Sequence, residues 1–321
     1  MTEVVKTTST FASAGRYRQD GEPASIAVKT WRVSGAAPKA VLQLNHGMEE
    51  YIDRYDAFAE AAAGEGYLVV GMDFIGHGDS TTSAEQLGYT GVPLADGHSV
   101  LLADMHTLRQ QTMAAWPDLP YVMFAHSMGS FALRAYLAHH GDGLAGAVIS
   151  GTGTMSGAMV VAAKALLGVT RLFHDPTYRS PLFAAISIGP YNKPFTNRTG
   201  FEWLSRDETE VDKYVADPRC GGIFTLAADR QLISVIGAAN ASAAATPKSL
   251  PLLLVSGAAD PVGGMGKGVA KVADGYRQAG VVDVTLKLYD QARHELLNEL
   301  NRDGVTTDIL NWVDAHIAAS A

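Results

Sequence analysis

Cysteine is almost absent from this chain. Cys220 is the only one among 321 residues, which excludes an internal disulfide and a fold that depends on oxidation. No uninterrupted run of the ~20 apolar residues that a membrane span needs occurs. The longest apolar stretch, Met155–Phe173, is broken by Lys164 and Arg171. The first residues, Met1-Thr2-Glu3-Val4-Val5-Lys6, are polar and lack the apolar core of a signal peptide. Positive charge is in deficit as well. A formal net charge of −8 argues against a dedicated nucleic-acid binder. The sequence has no G-x-x-x-x-G-K-[ST] phosphate loop and no H-E-x-x-H string. His46 and His77 lie in different loops, and His294-Glu295 lacks a second histidine four residues on. These absences lead us to expect a cytoplasmic protein, without a transmembrane segment, that uses no metal and no organic cofactor.

What is present is a globular composition, 47% hydrophobic and 18% charged, in a chain long enough to bury a large core. Short apolar runs alternate with helically spaced segments. Ala40–Leu44, Tyr67–Met72, Tyr121–Phe124, Leu144–Ile149, Leu252–Val255 and Val284–Leu288 read as buried strands. Ser25–Val33 reads as an outer antiparallel strand. Helices are predicted over Arg54–Ala63, Val100–Ala115, Phe131–His139, Val269–Ala279 and Leu310–Ala319. Such alternation predicts an α/β fold, a mostly parallel sheet with helices on both faces. The rhythm breaks between residues 152 and 246, which hold the apolar helix within Met155–Phe173, a loop over Asp175–Thr199 and a polar helix over Ser205–Asp217. That stretch is longer than a crossover needs. It is expected to be an inserted helical cap, with 1–151 and 247–321 forming the core.

Residues 125–130, Ala-His-Ser-Met-Gly-Ser, follow directly on the strand Tyr121–Phe124. A small-x-Ser-x-Gly string between a strand and a helix is the setting of a nucleophile elbow, with Ser127 at its tip. Small residues two before and two after the serine let the two backbones approach. A serine hydroxyl is a poor nucleophile at neutral pH and needs a base. His294 lies just past the strand Val284–Leu288, and Asp260 lies just past Leu252–Val255. The order Ser127, Asp260, His294 is the one this chemistry uses in such sheets, and Asp260 would orient the imidazole. Asp290, in the same loop as His294, is the rival acid. The backbone N–H groups of Met48, after Asn45-His46-Gly47, and of Met128 are the candidate oxyanion hole. His46 and His77, in tight glycine turns, are expected to hold loops together by hydrogen bonds.

These parts resemble the α/β-hydrolase family, and within it the monoacylglycerol lipase and lysophospholipase group, also labelled serine aminopeptidase-like. The resemblance rests on His46-Gly47-Met48-Glu49-Glu50 with Arg54-Tyr55, on Asp73 through Ser80, and on His126 through Ser130. Asp260-Pro261-Val262 and Arg293-His294-Glu295 with Asn298-Glu299 carry it further. Phe201–Cys220 resembles the end of that group's cap, so the resemblance spans roughly residues 25–315. One departure is Ala125, where the elbow usually opens with glycine. The resemblance implies cleavage of esters that join an apolar acyl chain to a small polar leaving group, as in monoacylglycerols or lysophospholipids. Met155, Met159 and Leu167 on the apolar cap helix are the candidate substrate-binding residues, though part of that stripe must pack on the core. The same apolar surface could join two copies as a homodimer. The other readings are an aminopeptidase-like amide hydrolase and a non-catalytic binding protein on the same scaffold.

Overall fold

A computed structural model describes residues 3–17, 21–91 and 99–318. Eight strands form one sheet: β1 (Val4–Arg16), β2 (Pro23–Val33), β3 (Ala40–Asn45), β4 (Tyr67–Met72), β5 (Tyr121–His126), β6 (Gly146–Ser150), β7 (Leu252–Gly257) and β8 (Val284–Tyr289). Their spatial order is β1-β2-β4-β3-β5-β6-β7-β8. The β1/β2 and β2/β4 pairs are antiparallel, and every pair from β4/β3 to β7/β8 is parallel.

The central strands are mostly apolar because both faces are covered, and the buried Gln43 of β3 is satisfied by the Met105 carbonyl and the Tyr121 hydroxyl. Alternate residues go to opposite sides. Val41, Leu68, Val70, Met123 and Ile149 join one core with helices α2 (Val100–Ala115), α3 (Met128–His140) and α8 (Lys267–Gln278). Leu42, Leu44, Val69, Phe124 and Val148 join the other with α1 (Asp56–Gly64) and α9 (Arg302–Ala318). Between β6 and β7 the described chain has no strand. It carries α4 (Gly157–Arg171), α5 (Pro181–Ser187), α6 (Glu208–Ala216) and α7 (Leu226–Ala241). Arg134 of α3 is buried and donates to the carbonyls of Gly153 (2.7 Å) and Ala239 (3.1 Å), which fastens this segment to the core.

Several local expectations change. The strand at Ser25–Val33 is antiparallel but not outermost, because β1 pairs along its far edge from Val4↔Val33 to Ala12↔Ser25. The loop expected at Asp175–Thr199 contains α5, started by a Ser180 cap whose Oγ accepts from the Phe183 N–H, with Pro181 in its first turn. The last helix begins at Arg302, earlier than Leu310; Ala319, its expected end, lies outside the described residues.

Candidate active site

The motifs singled out in the sequence converge at the C-terminal ends of β3, β4, β5, β7 and β8, where open parallel sheets place their ligands. β5 ends at His126, and Ser127 turns the chain into α3 with φ 50° and ψ −120°. A non-glycine residue in that region costs on the order of 1–3 kcal/mol and persists only where its surroundings enforce it. Here they do. The Ser127 N–H donates to Ser150 O at 3.0 Å, and the Ser130 N–H donates to Ser127 O at 2.8 Å. Gly129 has no alternative: a Cβ there would lie 2.5 Å from His46 O and 2.6 Å from Asn45 O. Ala125 is fully buried and stays in ladder register with Asn45 and Ile149, so its methyl group fits the turn.

The structure brings Ser127, His294 and Asp260 together. His294 Nε2 is 2.9 Å from Ser127 Oγ, and Nδ1 is 3.0 Å from Asp260 Oδ2. Asp260 is fully buried and accepts two further hydrogen bonds, from the Val262 N–H (2.9 Å) and Ser256 Oγ (3.3 Å). An ionised Asp260 fixes the proton of neutral His294 on Nδ1 and leaves Nε2 to accept from the serine. Burial alone would lower the His294 pKa. The Asp260 carboxylate and its hydrogen bond outweigh that and, with Glu295 and Glu50, hold it above the ordinary 6.5. Asp290, the rival acid, is exposed on the outer turn.

Met48 and Met128 flank the serine, and both line the cavity at Ser127. No hydrogen bond among the described residues uses either N–H. The loop that carries Met48 is held rigidly. Gly47 N–H donates to Glu50 Oε1 (2.6 Å), as does Tyr55 OH (2.8 Å). Arg54 forks onto Glu295 at 2.6 and 2.7 Å and reaches Glu50 at 3.1 Å. This buried cluster ties the Met48 loop to the residue beside His294. Burial pushes Glu50 up to about 7 against the pull of Arg54. Burial would also raise Glu295, but the Arg54 charge and fork hold it below its ordinary value. His46 and Asp73 fasten the same loop from β4. His46 Nε2 accepts from the Phe74 N–H at 3.0 Å, and Asp73 accepts from the N–H groups of Ile52 (2.7 Å) and Asp79 (2.8 Å).

Met155, Met159 and Leu167 do not line the cavity at Ser127. Met159 is 59% exposed and Leu167 packs in the main core. α4 buries only Val160 and Leu167; Val161, Val169 and Leu172 of the same apolar stretch face outward. The cap side of the cavity comes instead from Ile188, Tyr191, Trp203, Tyr214, Leu232 and Ile236. Sequence reasoning assigned none of these residues to the cavity; the available signals were the Phe201–Cys220 resemblance, which contains Trp203 and Tyr214, and the i, i+4 pair Leu232 and Ile236 on α7. Glu49, with φ 57°, also faces the cavity, and burial pushes its carboxyl up to about 8. The cavity is small, about 80 Å³.

A mostly parallel sheet, a strained serine between β5 and α3, and a histidine bridging it to a buried aspartate define an α/β hydrolase. Comparison with known proteins refines that class. A family model described as "Serine aminopeptidase, S33" matches residues 36–301, and the chain belongs to this family. Within it the chain falls in the monoacylglycerol lipase-like group. It is 30% identical over 289 residues to a monoacylglycerol lipase of Mycolicibacterium smegmatis, covering 87% of this chain and 90% of that one. It is 28% identical over 299 residues to the monoglyceride lipase of Mus musculus, covering 90% and 87%. Among solved structures, a thermostable carboxyl esterase from Bacillus coagulans in complex with glycerol superposes with a TM-score of 0.88 at 25% identity, over 97% of this chain and 99% of that one. Among the described residues no helix is long and apolar enough to cross a membrane.

Proposed function

We propose that the chain is a serine carboxylester hydrolase working through an acyl-enzyme. The observation that carries this reading is the continuous hydrogen-bonded chain from Ser127 Oγ through His294 to Asp260. Ser127 attacks the ester carbonyl while His294 Nε2 takes its proton, and Asp260 stabilises the imidazolium. The tetrahedral oxyanion is met by the N–H groups of Met48 and Met128, each worth ~3–4 kcal/mol by analogy with other oxyanion holes. His294 then passes its proton to the leaving alcohol. A water molecule, deprotonated by the same histidine, hydrolyses the acyl-enzyme and restores Ser127.

The substrate is an apolar acyl chain on a small polar alcohol, as in monoacylglycerols or lysophospholipids. Support comes from the apolar and aromatic wall at Ser127 and from the names of the relatives. A cavity of about 80 Å³ is well below the ~300 Å³ at which drug-sized ligand pockets begin. Residues 152–246 are accordingly a cap that moves from a core of 1–151 and 247–321 as the acyl chain enters. The outward apolar face of α4 is the surface for a homodimer, and the lone cysteine suits a cytoplasmic setting. The family description favours one other reading, amide cleavage. That reading needs an anionic anchor for a substrate amine, and Glu49, with its carboxyl at about 8, is mostly uncharged at neutral pH.

Kinetics on p-nitrophenyl esters and monoacylglycerols graded by acyl length test the proposal. Ser127→Ala should abolish turnover, and kcat/KM should rise with acyl length. Activity retained within a few-fold in Ser127→Ala would exclude the nucleophile. An aminoacyl anilide cleaved faster than the matched ester would favour the amide reading.

A further inference from the structure

A second and larger cavity, about 800 Å³, lies where α3 meets α4 and α7. It contains none of Ser127, Asp260 and His294. α4 turns Lys164, Leu167, Gly168 and Arg171 toward it at i, i+3, i+4 and i+7, one helix face. α7 turns Ala227, Arg230, Gln231 and Ser234 toward it at the same spacing, with Val235 and Ala238 beside them. The floor is aliphatic, from Leu102, Ala135 and Leu226. Three full cations, Lys164, Arg171 and Arg230, and no carboxylate line it among the described residues.

A second observation is independent of charge. Gln231 is only 8% exposed. Its Nε2 donates to Thr90 O at 3.3 Å, and its Oε1 has no hydrogen-bond partner among the described residues. A buried acceptor left unpaired is costly; closed off from solvent here, it gains a partner only if the wall shifts as an occupant enters. The volume falls in the range of ligand sites, ~300–1,000 Å³, which combine apolar walls with a few placed polar groups.

We propose that this cavity binds an anionic amphiphile. The aliphatic chain lies on the floor and the anionic head sits among Lys164, Arg171 and Arg230; a shift of the wall on entry lets a hydroxyl of the ligand or a bound water donate to Gln231. A carboxylate head and a phosphate head satisfy the same cations. The site is separate from the ester chemistry and does not depend on Ser127 acting as proposed.

Calorimetric titration of the full chain with decanoate, decyl phosphate and decanol tests this. One equivalent of decanoate or decyl phosphate should bind, with decanol at least about tenfold weaker. The tighter of the two anions identifies the head group. Lys164→Glu/Arg230→Glu should weaken the anion about tenfold or more. Gly168→Trp should remove binding by filling the cavity, because a Cβ at Gly168 meets no atom within 4 Å. Both variants should hydrolyse p-nitrophenyl acetate like the parent. Decanoate binding unchanged in both variants, decanol binding as tightly as the anions, or no anion binding at all would overturn the proposal. Loss of ester hydrolysis by the parent with anion binding intact would instead count against the proposed function alone.

Discussion

Arg54→Met isolates the cluster that fastens the Met48 loop to the His294 loop. The guanidinium forks onto Glu295 and touches Glu50, and all three side chains are largely withdrawn from solvent, with relative exposures of 10%, 6% and 4%. Methionine keeps much of the stem and removes the charge. Two carboxylates then face each other in a buried site without a counter-ion. Removing one partner of a buried ion pair costs ~3–5 kcal/mol. For a chain of this size that is a fall in Tm of roughly 4–7 °C. The sign of the pH dependence follows from the groups left behind. Without Arg54 both carboxyls lie above their unfolded values, so the folded state binds more protons and its stability falls as pH rises. The loss should therefore be larger at pH 8 than at pH 5.5. Glu295→Gln combined with Arg54→Met should recover part of it. Urea unfolding at both pH values, followed by tryptophan fluorescence, reads the effect. kcat should fall as well, because Gly47 N–H is held by Glu50. A loss below about 1 kcal/mol at pH 8, as for a solvent-screened surface pair, or the same loss at both pH values would refute the reasoning.

Four further outcomes follow from the same geometry. Asp260→Asn should lower kcat about 10³–10⁴-fold, as in other triads that lose the orienting acid. In the parent, kcat/KM should rise with pH through an inflection above 6.5, and in this variant the inflection should move to lower pH. Gly129→Ala should give an inactive or strongly destabilised protein by thermal melt and esterase assay, because its Cβ meets two backbone oxygens at 2.5 and 2.6 Å. Ala125→Gly should remain active. Asp229→Asn should stabilise the protein more at pH 8 than at pH 5, by urea unfolding. Burial raises Asp229 to about 7, so its ionisation costs stability as pH rises toward that value, by up to about 3 kcal/mol over two pH units.

The central sheet was legible because strands buried on both faces are short, continuous apolar runs, as at Leu68–Val70 and Leu252–Val255. Edge strand β1 was not. Residues 6–10 are exposed, and the buried alternates of its far half are Phe11, Ser13 and Gly15, one of them a large apolar residue, so no hydrophobic alternation announces it. α7 was missed for the opposite reason: it packs against the core on one side and α4 on the other, and its apolar residues run almost all the way round. The meeting of Ser127, His294 and Asp260 was readable because each follows a strand at the same end of the sheet. The cap wall of the cavity was not, since which face of α4 turns inward depends on α7 lying beneath it. Most of the apolar stripe on α4 faces out, and Trp203 and Tyr214 do the lining. Cys220 sits near the Arg54 cluster, and burial pushes its thiol up to about 12, away from the thiolate form.

The most direct test of the account is the site of covalent labelling. The full chain is treated with a fluorophosphonate, and the adduct is mapped by peptide mass spectrometry while ester hydrolysis is followed in parallel. The account predicts a single adduct, on Ser127, formed in step with loss of activity. An adduct on another residue, or hydrolysis that continues after Ser127 is fully modified, would contradict it.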